Sequence, residues 1–312
     1  MSGVGSLPSG VVEPDLVTVV LPTYNRARTL PRAIASVLNQ DYRNLELLVV
    51  DDASGDDTAA VVAAIEDPRV RYIRLPQNGG ASHARNAGLT EARGAFIAFQ
   101  DSDDEWLAGK LTKQVRAAKA AGDPAVTVFH PKIVVGKDER ARYGRHRVCC
   151  MPAIEPGERD FIQLIHATNL ISPQALLISR EAFHRAGFFD EDLVNNEDWA
   201  YGIELFYKST VVFIEDPLVM NYLQSDSISM LMRPGARAQL RVIQKLRKLP
   251  EATPKVMGGH IGRIGWAISK LGRPRMARTL LRLSLRLDPR AWKNWARLAM
   301  VQAAIWGGAG RG

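Results

Sequence analysis

The sequence has few of the residues from which disulfide frameworks and zinc sites are built. Only two cysteines occur in 312 residues, and they are adjacent, at Cys149 and Cys150. Adjacent cysteines are poorly placed to close a loop with a disulfide, and they lack the spacing of a zinc knuckle. The histidines are scattered without the spacing of metal ligands. We therefore expect reduced structural thiols, and the sequence gives no support to a mechanism based on histidine.

Long hydrophobic runs are also absent. No stretch approaches the roughly 20 apolar residues that span a bilayer, and the N-terminus has no basic segment followed by an apolar signal core. The hydrolase motif Gly-x-Ser-x-Gly and the Walker phosphate loop are missing as well. With 46% hydrophobic residues, the chain can nevertheless bury a full core. These features predict a globular, cytoplasmic protein that is neither a serine hydrolase nor a P-loop enzyme.

Acidic residues are scarce in the C-terminal part of the chain. From Pro254 onward there are 12 Lys or Arg residues and a single acid, Asp288. Of the totals of 41 bases and 33 acids, 29 bases and 32 acids remain before Pro254. The formal charge of +8 therefore belongs to the tail, and the body is slightly acidic. A charge placed in this way does not predict a nucleic-acid partner.

Apolar runs alternate with helical patterns through the first hundred residues. Strands are predicted at 16–21, 45–50, 70–75 and 95–100, with an amphipathic helix in each interval. Such alternation indicates an α/β fold with a parallel sheet covered on both faces, and ligands bind such sheets outside the carboxyl ends of the strands. The middle section has a looser α+β pattern and is expected to form a second wall of the site. Beyond about Arg237 the pattern predicts helix.

Three carboxylates, Asp101, Asp103 and Asp104, follow the fourth predicted strand directly. Like charges this close repel one another, and a bound cation would neutralise them. Oxygen ligands without nearby Cys or His pairs favour Mg²⁺ or Mn²⁺, which complete their shells with substrate phosphate oxygens. The alternative is an acidic loop that caps the next helix. Because Tyr24 and Asp52 follow two other strands of the same sheet, the metal site is the favoured interpretation.

The chain contains four motifs in this order: Pro22-Thr23-Tyr24-Asn25-Arg26, Asp51-Asp52-Ala53-Ser54, Asn78-Gly79-Gly80 with Ala84-Arg85-Asn86, and Asp101-Ser102-Asp103-Asp104. In their order as well as their spacing, these motifs resemble family 2 glycosyltransferases with the GT-A fold. Segment 187–191 and the pair Glu197-Asp198 extend the likeness, which runs from about Val17 to Tyr222. The resemblance implies a Rossmann-like, mostly parallel central sheet flanked by helices. The tail lies outside the resemblance, and its own pattern predicts a C-terminal helical extension.

The residue patterns and the resemblance together predict a division of the chain. We expect a flexible leader at 1–14 and a GT-A domain at 15–225. Within that domain, 15–106 would bind the nucleotide sugar and 107–225 would bind the acceptor. A basic helical extension would occupy 226–312.

The implied activity is transfer of a sugar from a nucleotide diphosphate donor, with uridine as the nucleoside, to an acceptor hydroxyl. Transfer would proceed with inversion, in the synthesis of a polysaccharide, lipopolysaccharide or other glycoconjugate, on a glycan or lipid-linked acceptor. The Gln-x-x-Arg-Trp element of processive members is absent, which favours addition of a single sugar. The alternative is a nucleotide-sugar-binding scaffold or regulator without turnover.

On the donor side, the resemblance assigns eight residues, and alternatives stand beside several of them. They are Pro22, Thr23, Tyr24, Asp52, Arg85, Asp101, Ser102 and Asp103. Tyr24 would pack on the nucleobase while Asp52 accepts its ring N–H, although a lone tyrosine also fits a core position. Asp101 and Asp103 would hold the metal. Arg85 and backbone N–H groups near Gly79 and Gly80 would contact a phosphate. The alternatives are a surface ion pair for Arg85 and an ordinary turn at the two glycines.

On the acceptor side, Asp198 matches the position of the family's catalytic base, which removes the acceptor proton. Glu197 would orient a neighbour or bind the acceptor, and Trp199 would stack on a sugar unless it lies in the core. The alternative for the acidic pair is a set of caps at a helix N-terminus.

The basic tail is predicted to form three helices, at 261–271, 277–287 and 291–306. Five arginines recur every three or four residues along the second helix and beyond it: Arg275, Arg278, Arg282, Arg286 and Arg290. Such a row of arginines is compatible with a peripheral contact of residues 261–306 with an anionic membrane. It is equally compatible with a helix face that is exposed to solvent. Docking on the enzyme body or on a second copy of the chain is also open.

Overall fold

The computed structural model describes residues 12–136, 148–155, 157, 160–223, 232–250 and 252–309. Two compact units are present: 1–161 with 170–192 and 197–225, and a second formed by 162–169, 193–196 and 226–312. The stretch predicted as a continuous acceptor half thus contributes two short segments to the second unit. Residues 1–11 of the predicted leader lie outside the described part of the chain. Glu13 and Pro14 are not leader but begin the first strand, since the Glu13 N–H donates to the Arg93 carbonyl at 3.0 Å.

The first unit alternates strands and helices in its first half, as the sequence predicts. Its elements there are β1 (Glu13–Thr23), α1 (Leu30–Leu38), β2 (Leu45–Asp51), α2 (Thr58–Ala63), β3 (Val70–Arg74), α3 (Ala81–Glu91), β4 (Gly94–Phe99), β5 (Glu105–Trp106) and α4 (Lys110–Ala120). The second half is more irregular. It contains β6 (Val126–Phe129), β7 (Lys132–Val135), β8 (Val148–Met151), the start of α5 (Phe161–Ala167), β9 (Leu177–Ser179), α6 (Arg180–Ala186), α7 (Glu197–Lys208), β10 (Thr210–Phe213) and β11 (Val219–Tyr222).

The central sheet has seven strands in the order β10-β6-β9-β4-β1-β2-β3. Neighbours pair in parallel except on the two sides of β9, which runs antiparallel to both β4 and β6. Every residue of β2 is buried, and so are the last eight of β1, because helices cover both faces of the sheet. The predicted α/β class, with a mostly parallel sheet flanked by helices, is confirmed. The carboxyl ends of β1, β2 and β4 meet at one edge.

A second sheet, of four strands in the order β5-β11-β7-β8, was not predicted. β11 pairs in parallel with β7, while β5 and β8 are antiparallel to their neighbours. Because β5 directly follows the carboxylates at 101–104, this sheet is attached to the candidate metal loop. Because β11 pairs with β5 in this sheet, residues of β11 reach that loop although they lie more than a hundred positions further along the chain.

The second unit is helical, with α8 (Met232–Leu246), α9 (Pro254–Lys270), α10 (Pro274–Leu287) and α11 (Trp292–Ala309). The three predicted tail helices are present, although the first begins earlier, where the Thr253 hydroxyl accepts from the Val256 N–H at 3.3 Å. Arg290 lies beyond the end of α10, so four of the five arginines in the predicted row belong to that helix. None of the described helices is long and apolar enough to cross a membrane.

Helices α9, α10 and α11 are held together by a buried polar chain as well as by apolar packing. Asn294 Nδ2 donates to Ser284 Oγ at 2.8 Å, and Ser284 Oγ donates to the Gly258 carbonyl at 2.7 Å. A Cβ at Gly262 would lie 2.2 Å from Asn294 Nδ2, so only glycine admits Asn294 at this crossing. A buried polar group without a hydrogen-bond partner would cost about 1–3 kcal/mol. The hydrogen bonds of this buried polar chain leave none of these side-chain groups in that state.

Candidate active site

The loops that follow β1 and β2 are tied to each other at the carboxyl edge of the sheet. Asn25 and Ala53 adopt left-handed backbone conformations, with φ of 52° and 63°. The Asn25 N–H donates to Ser54 Oγ at 2.9 Å, and the Gly55 N–H donates to Asn25 Oδ1 at 2.8 Å. Non-glycine residues in this conformation cost of order 1–3 kcal/mol unless their surroundings hold them, and these bonds do so. The two loops therefore form one braced surface.

Three of the residues predicted to bind the sugar donor lie at the end of β1 or directly after it, and they differ in exposure. Tyr24 is 47% exposed, so the core alternative for this residue is wrong and its ring is free to pack on a ligand. Pro22 and Thr23 are buried at the carboxyl end of β1, where Pro22 pairs with Val50 of β2. Thr23 Oγ1 has no hydrogen-bond partner among the described residues. An unpaired buried hydroxyl at a site edge is a group that a ligand can satisfy.

The two adjacent carboxylates after β2 are both engaged in holding loops. Asp51 Oδ1 accepts from the Ser54 N–H at 2.8 Å, and its other oxygen accepts from the Tyr72 hydroxyl. Asp52 is 3% exposed, and its two oxygens accept from the N–H groups of Gly79 and Gly80 at 2.9 and 2.7 Å. Any nucleobase contact by Asp52 would have to use its remaining lone pairs.

The N–H groups of Gly79 and Gly80 themselves are not available to a phosphate in this structure, because both already donate to Asp52. Gly80 has φ of +90°, and a Cβ at Gly79 would lie 2.5 Å from the His83 ring. Both glycines are therefore required by the turn that begins α3. The turn, rather than direct anion binding, explains this part of the motif.

Arg85, on α3, lies between the carboxylates of two distant segments. Its Nη2 donates to Asp101 Oδ1 at 3.0 Å and its Nη1 to Glu197 Oε1 at 3.2 Å. The residue is 5% exposed, so the ion pair is buried and not the surface pair weighed as an alternative. Burial opposes the positive charge, but Asp101 and Glu197 outweigh it and raise the pKa of Arg85 above its usual value. The arginine therefore stays charged and connects β4 to α7.

The loop after β4 presents two carboxylates that remain partly open to solvent. The side chains of Asp101 and Asp103 are 25% and 22% exposed. Arg26 Nη2 lies 3.8 Å from Asp103 Oδ2, while Ser102, between the two acids, is 8% exposed. Within the described ranges no group of three or more His, Cys, Asp or Glu side chains is close enough to hold a metal.

Two carboxylates without His or Cys suit a hard cation that takes its other ligands from water and from a diphosphate. The side-chain chemistry at Asp101 and Asp103 therefore fits Mg²⁺ or Mn²⁺ bound jointly with substrate. It does not fit a metal held by the protein alone.

Asp104 is a structural residue and neither caps the next helix nor faces the solvent. It is fully buried, and its carboxylate accepts from Gln174 Nε2 at 2.6 Å, from Asn221 Nδ2 at 2.9 Å and from the Tyr222 N–H at 3.1 Å. Burial, followed by the charges of Asp101 and Asp103, raises its pKa to about 8. Through these contacts Asp104 fastens the carboxylate loop to the second sheet. Its place as the third acid of the motif was its only sequence signal.

The acidic pair predicted on the acceptor side lies in the first turn of α7. Asp198 is half-buried, and its Oδ1 accepts from the Trp199 N–H at 2.7 Å, so part of the helix-capping alternative is realised. Burial and the neighbouring Asp198 raise the pKa of Glu197 to about 7, although the charge of Arg85 acts in the opposite direction and lowers it. Trp199 is 4% exposed and packs in the core. The prediction that its ring stacks on an acceptor sugar is therefore wrong.

Asn86 is a residue of the site whose role the sequence motif did not reveal. Its Nδ2 donates to the Phe189 carbonyl at 3.0 Å and to Glu191 Oε1 at 2.7 Å, and its Oδ1 accepts from the Phe189 N–H at 2.9 Å. The Phe189 ring stacks on Tyr201 of α7 at a centroid distance of 4.0 Å. Asn86 thus joins α3 to the loop that precedes α7, and through Phe189 to α7 itself.

The sequence pattern of glycosyl transferase family 2 matches residues 18–187. The chain belongs to this family. It is 51% identical over 109 residues to the succinoglycan biosynthesis protein ExoO of Rhizobium meliloti, a match covering 35% of this chain and 31% of that protein. It is 46% identical over 100 residues to the UDP-Glc:alpha-D-GlcNAc-diphosphoundecaprenol beta-1,3-glucosyltransferase WfgD of Escherichia coli, covering 32% of this chain and 40% of WfgD. The matches thus span less than half of these relatives' length.

Solved structures show the same fold for this family 2 glycosyltransferase. S. aureus TarS 1–349 in complex with UDP-GlcNAc aligns with a TM-score of 0.63 at 18% identity, covering 94% of this chain and 92% of the other. The mannosyltransferase PcManGT of Pyrobaculum calidifontis, in complex with GDP-Man and Mn²⁺, aligns with a TM-score of 0.60 at 22% identity, covering 92% and 79%. At these identities the likeness concerns the fold alone. The GT-A architecture with a C-terminal helical region is confirmed.

Proposed function

We propose that this family 2 glycosyltransferase adds a single sugar, with inversion, from a UDP-sugar to an acceptor hydroxyl during the synthesis of a surface polysaccharide or related glycoconjugate. The observation that carries the proposal is the buried arginine shared by Asp101 and Glu197. Asp101 belongs to the loop predicted to bind the donor diphosphate. Glu197 stands next to Asp198 in the first turn of α7, so the arginine connects donor-side and acceptor-side groups within one site.

The donor is proposed to lie at the carboxyl edge of the sheet, with the nucleobase packed on the exposed Tyr24 ring and the diphosphate near Asp101 and Asp103. The TarS structure with UDP-GlcNAc and the name of WfgD support a UDP-sugar. Mg²⁺ or Mn²⁺, held between the two aspartates and the diphosphate, would stabilise the charge that develops on the departing UDP. Asp104 would keep the carboxylate loop in place through its bonds to Asn221 and Gln174.

Asp198 is proposed to act as the general base. Its carboxylate would take the proton of the acceptor hydroxyl as that oxygen forms a bond to the anomeric carbon, on the face opposite the nucleotide. The bond between the anomeric carbon and the phosphate oxygen breaks, and UDP leaves with the bonding electrons. Glu197, paired with Arg85, is proposed to hold the arginine toward the donor side. A lipid-linked acceptor is supported by the diphosphoundecaprenol compounds in the names of two relatives.

A thermal-shift screen of UDP- and GDP-sugars with Mn²⁺, followed by assays of donor hydrolysis and transfer, tests this function. We expect one UDP-sugar to raise the melting temperature in the presence of Mn²⁺ and to be turned over, with EDTA abolishing the turnover. Binding that is independent of metal, with neither hydrolysis nor transfer for any donor, would instead support the non-catalytic scaffold.

A further inference from the structure

Helix α11 presents three tryptophans to the solvent along one side. Trp292, Trp295 and Trp306 are 70%, 54% and 71% exposed. At 100° per residue, these three positions fall within a sector of about 60° on an ideal helix. The other side of α11 is the packed one, where Asn294 and Val301 are buried against α9 and α10. We call the three tryptophans the Trp face.

Such exposure is costly for aromatic side chains, because each ring can bury about 150–250 Å² of surface in an interface. Among the described large hydrophobic residues, Trp292 and Trp306 are the two most exposed. Scattered single hydrophobic residues on a surface need no explanation, but three tryptophans in one row mark a contact surface. An indole ring has an apolar body and a polar N–H, a combination that favours the boundary between lipid headgroups and acyl chains.

The charge of the same unit decides which partner suits this surface. From Pro254 onward the chain has 12 Lys or Arg residues and one acid, so the same unit of a second copy would be repelled and an anionic surface attracted. Arg275, Arg282 and Arg286 are exposed on α10 and form no ion pair within the part of the chain that the structure describes. Lys293 Nζ lies 5.6 Å from the centre of the Trp292 ring, which places a cation directly beside the Trp face.

We propose that the Trp face docks on an anionic phospholipid bilayer, with α11 lying in the plane of the headgroups and the cations of the same unit, Lys293 among them, attracted to the lipid phosphates. The charge supplies attraction toward any anionic surface, and the tryptophans select the side that inserts. The proposal goes beyond sugar transfer, since it concerns a surface outside the first unit. It needs neither donor nor acceptor, so its failure would leave the proposed activity untouched.

The test is co-sedimentation of the full chain with vesicles of phosphatidylcholine alone or with about 30% phosphatidylglycerol, at about 0.1 and 0.5 M salt. The variant is Trp292→Ala/Trp306→Ala; Trp295 is kept because its Nε1 donates to the Pro289 carbonyl at 3.0 Å. The matched control is Leu240→Ala, which removes an exposed apolar side chain from α8 of the same unit. Thermal unfolding and size-exclusion chromatography with light scattering accompany every variant.

We expect the wild-type chain and the control to bind the anionic vesicles at low salt, and the double variant to bind at least about ten-fold more weakly. Brominated lipids should quench the wild-type tryptophan fluorescence. Equal binding by all three proteins would overturn the proposal, and so would a wild-type dimer that the double variant converts to a monomer. If the double variant unfolds, the proposal is tested by the quenching of wild-type tryptophan fluorescence alone. An absence of quenching by brominated anionic vesicles would then refute docking.

Discussion

Arg85 Nη2 donates to Asp101 Oδ1 at 3.0 Å inside a site where the arginine is almost fully buried. Removing the arginine would leave two carboxylates, those of Asp101 and Glu197, without their counter-charge. Breaking a buried ion pair on one side typically costs about 3–5 kcal/mol. We therefore expect Arg85→Met to lower the free energy of unfolding by about 3 kcal/mol or more, measured by urea denaturation above pH 7, where Glu197 is mostly ionised in the wild-type protein.

The matched control for Arg85→Met is the double variant Arg85→Met/Glu197→Gln, which also removes one of the two orphaned charges. It should recover part of the lost stability, because the amide no longer carries a buried charge. If the double variant were less stable than the single variant, the cost would not arise from unpaired carboxylates.

Asn86 is expected to act as a positioning residue for α7. Asn86→Ala removes three hydrogen bonds to Phe189 and Glu191 and should lower kcat by roughly ten-fold or more through misplacement of the base, while the Kd of the donor changes little. The comparison is with Thr90→Ala, which removes a side-chain bond to the backbone on the same helix. An equal fall in kcat for both variants would indicate a general effect on α3.

The stability of the helical unit should depend on pH through His260. Its Nε2 donates to the His166 carbonyl at 2.6 Å, and its Nδ1 accepts from Arg263 Nη2 at 2.7 Å, so the ring is neutral in this arrangement. Burial, followed by the charge of Arg263, lowers its pKa from 6.5 to about 4. The neutral ring therefore stabilises the fold above pH 6.5, and this stability is lost as the pH falls toward 4.

Between pH 7 and pH 5 this single group should reduce the free energy of unfolding by about 2 kcal/mol. His260→Gln keeps a donor and an acceptor but does not titrate in this range. The pH-dependent loss of stability, measured by denaturation at the two pH values, should be smaller in the variant by that amount. An unchanged loss would show that His260 is protonated in the folded protein or accessible to water.

Donor binding should depend on the metal through Asp103. Asp103→Asn removes one of two candidate carboxylate ligands, and we expect the apparent affinity for Mn²⁺ in the presence of UDP to fall by about ten-fold or more. Titration calorimetry with UDP and Mn²⁺ measures this. Asp216→Asn, an exposed carboxylate paired with Lys113, serves as the control and should bind normally. Normal Mn²⁺ binding by Asp103→Asn would remove this residue from the metal site.

The sequence predicted the first half of the fold well because its strands are long and apolar. β1 and β2 contain 11 and 7 residues and are buried over most of their length. The second sheet escaped prediction because β5 has two residues and β11 has four, too few for a period of two to be recognised. The strand β9 has only three residues, and nothing in its sequence shows that it runs antiparallel between two groups of parallel strands.

At the site, residue types were easier to predict than contacts. The motif containing Arg85 indicated a ligand-binding arginine, whereas its partner Glu197 is 112 positions away and only the folded chain brings them together. The sequence motif indicated that the N–H groups of Gly79 and Gly80 could bind a phosphate, but in the structure both of them donate to the Asp52 carboxylate. Such competition depends on distances of a few ångströms, which residue patterns do not contain.

The most direct test of the proposed activity is the separation of donor binding from transfer in Asp198→Asn. With Mn²⁺ and the donor identified in the screen, calorimetry should give a donor Kd within about two-fold of wild type, while the transfer rate falls by about 10²–10⁴-fold, because the base acts only on the acceptor. Wild-type transfer should invert the anomeric centre, as read by NMR of the product. Transfer by Asp198→Asn at the wild-type rate, or a product with retained configuration, would contradict the assignment of Asp198 as the base of an inverting glycosyltransferase.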